Sequence, residues 1–75
     1  MNKKRRAAIC ELRGKLSDML EELEQIQMDE QEYYDNIPEN LQESERAEAS
    51  DAALGSLSEA YDSLSSAIDS LEEIE

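Results

Sequence analysis

Few residues of this chain have side chains that could do chemistry. There is no histidine among its 75 residues. A Ser-His or Cys-His nucleophile pair is therefore impossible, and so are the carboxylate–histidine metal sites of helical bundles. The acidic stretch MDEQEYYDNIPEN, residues 28–40, lacks the glycine and the alternating oxygen ligands of a calcium-binding loop. Cys10 is the single cysteine and cannot close an internal disulfide, which fits a reducing compartment. It follows basic residues, which can favour a thiolate, but its surroundings read as an exposed, incidental position. Glu30, the one acid on an apolar column, reads as a partly hydrated side chain near a turn. The expectation is a protein that is not an enzyme, with no catalytic residue, cofactor, metal or small-molecule substrate.

What the chain has in quantity is charge. Twenty acids stand against seven bases, for a net charge of −13. Residues 1–15 carry six cations (Lys3, Lys4, Arg5, Arg6, Arg13, Lys15) against Glu11, giving +5; the rest carries nineteen acids against Arg46, giving −18. Phosphate repels such a surface, so direct nucleic-acid binding is not expected. No apolar run approaches the roughly 20 residues needed to cross a bilayer. The basic start is followed by Glu11 and Arg13 rather than by an apolar segment, so it is not read as a signal peptide. A cytoplasmic location without membrane contact is the expectation.

Two periodic segments must position these charges. In the first, Ile9, Leu12, Leu16, Met19, Leu23, Ile26, Glu30 and Tyr33 alternate in steps of three and four. The second continues the rhythm through Ala47, Ser50, Leu54, Leu57, Tyr61, Leu64, Ile68 and Leu71. This is the heptad of packed helices, with Ile9 and Leu54 at position a and Leu12 and Leu57 at position d. The Asp-Ser-Leu tripeptides at 62–64 and 69–71 repeat with the heptad. In small acidic acyl carrier proteins such a serine holds the phosphopantetheine arm at a helix start. Here Ser63 and Ser70 fall on an outward column inside an unbroken helix, so that reading is set aside.

Between the segments, Asp35 and Asn36 can end a helix, and Pro38 removes a donor and biases Ile37 toward extended geometry. Pro38 can open a short turn through Leu41, and Ser44 is an N-cap with Glu45 well placed behind it. The reading is all-α: one antiparallel two-helix coiled-coil hairpin, capable of dimerising into a four-helix bundle. Helix one spans about residues 2–34, the connection 35–43 and helix two 44–75, each helix being about 48 Å long. Residues whose numbers sum to 80 pair an a with a d throughout, as in Ile9 with Leu71 and Leu23 with Leu57. The same register puts Arg5 beside Glu75 and Arg6 near Glu72, so the basic start meets the acidic end.

Two surfaces are left over. Asp18, Glu21, Glu22, Glu24, Asp29, Glu32, Asp35, Glu48, Glu59 and Asp62 form the candidate partner-binding acidic face. Ala53, Ala60, Ala67 and Ile74, beside the seam of helix two, form a candidate self-association stripe. Gly14 and Gly55 each cost about 1 kcal/mol relative to alanine in a helix and are candidates for close contact with a partner.

The stretch QEYYDNIPENLQESERAEASDAAL, residues 31–54, resembles small uncharacterised acidic helical proteins of phages and mobile elements of Gram-positive gut bacteria. The distinctive part is YYDNIPENLQ followed by SER. The resemblance implies no catalytic residue. It implies a phage context, in a bacterial host cell, where small acidic proteins block defence nucleases. The expected function is a non-enzymatic interaction protein binding a basic protein surface, in the manner of a nucleic-acid mimic that inhibits a host nuclease or DNA-binding protein. The alternative is a self-associating structural or scaffold coiled coil.

Overall fold

A computed structural model describes residues 2–41 and 44–74. Two helices, α1 (Lys3–Asp35) and α2 (Glu45–Glu72), pack along one another as a hairpin measuring 59 × 14 × 13 Å. Helix α1 starts at Asn2, whose Oδ1 accepts from the Arg5 amide at 2.8 Å. That cap satisfies one orphan amide in a first turn that otherwise carries cations against the helix dipole. The helix stops at Asn36, whose amide donates to the Glu32 carbonyl at 3.1 Å. Pro38 then opens a 3-10 turn, Glu39–Leu41, closed by Leu41 N–H to the Pro38 carbonyl at 2.8 Å. Ser44 caps α2 by accepting from the Ala47 amide at 3.3 Å, with Glu45 and Glu48 in the favourable first turn. The residues expected to break and restart the helix do so. Asn2, an asparagine just ahead of the run, is a cap that local residue chemistry offers and apolar periodicity does not reveal.

Helix α2 presents the expected seam. Ala47, Ser50 and Ile68 are buried, and Leu54, Leu57, Tyr61, Leu64 and Leu71 are half-buried. Helix α1 does not. Its half-buried positions are Ile9, Arg13, Leu16, Leu20, Leu23, Gln27, Glu30 and Tyr34, whereas Leu12, Met19, Ile26 and Tyr33 are 45–54% exposed. The helix is rotated about its axis, so that the column beginning at Arg13 faces α2 in place of the column beginning at Leu12. Three neighbouring columns of α1 compete for one partner helix, and a two-helix contact can seat only two of them. At the open end Arg13 Nη1 lies 3.6 Å from Glu72 Oε1, an ion pair that suits this rotation. At the loop end the half-buried Ile37 continues the column of Ile9, Leu16, Leu23 and Glu30.

The register moves with the rotation. A register in which numbers sum to 84 sets the Arg13 and Ile9 columns alternately against α2, with Leu20 level with Leu64 and Leu16 with Ile68, and it agrees with the observed Arg13–Glu72 contact, which sums to 85. The expected sum of 80 is thus corrected by half a heptad. Residues 2–8 are all exposed, as they must be if α1 overhangs the end of α2. Glu72 pairs with Arg13 rather than with Arg6, and the expected Arg5–Glu75 pair falls outside the described residues.

Candidate interaction surfaces

The ten acids of the candidate face are all exposed, seven on α1 and three on α2. Two are tethered by side-chain amides one turn away: Gln25 Nε2 donates to Asp29 Oδ1 at 3.0 Å and Gln31 Nε2 to Asp35 Oδ1 at 2.9 Å. Such i,i+4 bonds stiffen the helix surface and leave the charge in place. The basic segment is partly engaged, with Lys15 Nζ 3.6 Å from Glu11 Oε1 and Arg13 on Glu72. Lys3, Lys4, Arg5 and Arg6 project from the overhang and are exposed. The molecule is therefore a rod with a cationic tip and an acidic body.

The remaining chemical candidates stay apart. Cys10 is a free, exposed thiol whose Sγ lies 3.9 Å from Arg13 Nη2. Ser63 and Ser70 are exposed inside α2. Glu30 is half-buried on α1, and Ser50, expected opposite it, is buried with an Oγ that has no hydrogen-bond partner. Among the described residues no group of three or more histidine, cysteine, aspartate or glutamate side chains could hold a metal ion. No described helix is long and apolar enough to cross a membrane. A Cβ on Gly14 or Gly55 would meet nothing within 4 Å, so neither glycine serves a close approach within the hairpin.

The two flanks of the hairpin differ sharply in polarity. Because the helices run in opposite directions, the column just before each a position lies on one side of the seam, and the column just after each d position on the other. With Arg13 and Leu54 as a positions, one flank receives Leu12, Met19, Ile26 and Tyr33 from α1. From α2 it receives Ala53, which is half-buried, and Ala60, Ala67 and Ile74, which are exposed. The opposite flank holds Ser17, Glu24 and Gln31 against Asp51, Ser58 and Glu72. One side of the rod is thus apolar along its length and the other polar. At the loop end the apolar flank runs through Tyr33 into an open cleft of about 250 Å³ that is also lined by Ile37, Pro38 and Leu41. The alanine stripe was legible in the sequence. Its bulky neighbour is not legible there, because the same periodicity places Leu12, Met19, Ile26 and Tyr33 in the seam.

No known protein-family model, curated protein sequence or solved structure matches the chain.

Proposed function

We propose that this chain is a non-enzymatic interaction protein, phage-like in origin, whose acidic rod docks on a basic protein surface. In this reading it occupies the nucleic-acid groove of a host defence nuclease or DNA-binding protein and blocks it. The observation that carries the reading is the exposure of all ten candidate acids on a straight body 59 Å long. The net charge of −13 on a rod of that length averages one charge per about 4.5 Å. Duplex DNA carries one charge per about 1.7 Å of axis and a single strand one per about 3.4 Å. The linear charge density of the rod approaches that of a single strand, and long-range attraction of this kind speeds encounter with a basic groove. The +5 tip would stand outside such a groove.

The test is capture from host lysate, first at about 50 mM and then at about 500 mM sodium chloride, where screening shortens to a few ångströms. The expected result is a basic partner held at low salt and released at high salt. A variant with Asp18, Glu21, Glu24 and Glu32 changed to their amides should lose it at both. Capture indifferent to salt, or retained by the amide variant, would remove electrostatic mimicry.

A further inference from the structure

We infer that the apolar flank is covered by the same flank of a second copy of this chain, running antiparallel about a two-fold axis to give a four-helix bundle. Of the seven large hydrophobic side chains exposed among the described residues, five lie on this flank: Leu12, Met19, Ile26, Tyr33 and Ile74. Among the described residues only two apolar ones, Ala47 and Ile68, are buried by the hairpin alone. A two-helix chain without disulfide or metal has little to stabilise it. Covering a continuous apolar flank supplies what the single hairpin lacks, and the polar opposite flank leaves one side only for the contact.

Charge selects both the occupant and its direction. Any partner lying along the flank meets the cationic end and the acidic body in succession. A second copy in parallel would stack cations on cations and acids on acids. Turned end for end, it sets the +5 segment of each copy against the acidic loop half of the other. Lys15 then comes level with Asp29 and Glu30 of the second copy, and Arg6 with its Glu39.

The numbering fits one axis. On α1, opposed residues sum to 45, placing Leu12 on Tyr33 and Met19 on Ile26 of the second copy. On α2 they sum to 127, placing Ala60 on Ala67 and Ala53 on Ile74. The centres of the two rows, between residues 22 and 23 and between 63 and 64, lie within about two residues of level in the hairpin, so a single two-fold serves both to within about 3 Å. Bulky side chains interdigitate between the α1 helices, and alanines let the α2 helices approach closely. This contact is independent of the acidic-face reading, since most of those carboxylates lie on columns facing away from it.

Sedimentation equilibrium of the full chain tests the contact. The expected species has twice the 8.5 kDa chain mass. Met19→Glu and Ile26→Glu, both at exposed positions, should weaken association at least tenfold with helicity retained, whereas Ser17→Glu on the polar flank should not. Direction is read from disulfides in a Cys10→Ser background. Ser63→Cys lies beside the axis and should cross-link to itself on oxidation. Ser70→Cys, displaced from its mate by about 20 Å at 1.5 Å per residue, should not. A monomer at every concentration, or a dimer indifferent to Met19→Glu and Ile26→Glu, overturns the proposal. Failure of Ser63→Cys to cross-link a dimer overturns its antiparallel direction.

Discussion

Ser50 places a hydroxyl where almost no water reaches it, at 4% exposure, and gives it no partner. A buried polar group left unsatisfied costs about 1–3 kcal/mol. Serine is also a poorer helix former than alanine, because its hydroxyl competes for backbone groups. Ser50→Ala should therefore raise unfolding stability by about 1 kcal/mol, a shift of roughly 4–8 °C in a domain of this size. Thermal unfolding followed by circular dichroism reads it; a lowered midpoint would show that the hydroxyl is hydrogen-bonded after all. The neighbouring seam position, Ala47, is 1% exposed and small. Together they make the loop end of α2 a place where a helix can approach closely, and where any larger side chain would have to be accommodated by moving α1.

At the scale of the element, the rotation of α1 is the feature with consequences. Leu20 is half-buried against α2, while Met19, one residue earlier, is 54% exposed. Truncating a half-buried leucine should cost about 1–2 kcal/mol, below the 2–5 kcal/mol of a fully buried one. Leu20→Ala should thus lower the denaturant midpoint by the same amount at every protein concentration. The effect of Met19→Ala should be small in dilute solution and, if the proposed second copy covers its side chain, should grow with concentration. Equal, concentration-independent losses at the two positions would place Met19 in the seam and undo the rotation. The ends of the elements depend on local sequence alone. Asn36, Pro38 and Ser44 stop, turn and restart the chain through bonds within a few residues, so their outcome does not depend on how the helices meet.

On the scale of the molecule, a rod 13–14 Å thick carries a net charge of −13. At about 10 mM ionic strength the screening length is about 30 Å, longer than the rod is wide, so every acid feels those on the other helix. Repulsion of that range destabilises a compact state. The thermal midpoint should therefore rise as sodium chloride is raised from about 10 mM to about 500 mM. A midpoint that falls would mean that the Arg13–Glu72 and Lys15–Glu11 ion pairs outweigh the self-repulsion. Exposed pairs of this kind contribute about 0–1 kcal/mol each.

The order of the residues alone settles the helical class, the fold-back, the Ser44 cap and the whole seam of α2, because these rest on local chemistry and on a column with no competitor. It also determined that Asp18, Glu32, Glu59 and the other candidate acids face outward, since no side of a thin hairpin could bury them. Which columns of α1 meet α2 is visible in the packed hairpin alone, and with it the placing of Leu12, Met19, Ile26 and Tyr33 on a flank beside the alanines. Periodicity fixes how apolar residues are spaced around a helix but leaves its rotation free when two adjacent columns can serve. That angle is set by contacts across the hairpin, such as Arg13 on Glu72, between residues far apart in the chain.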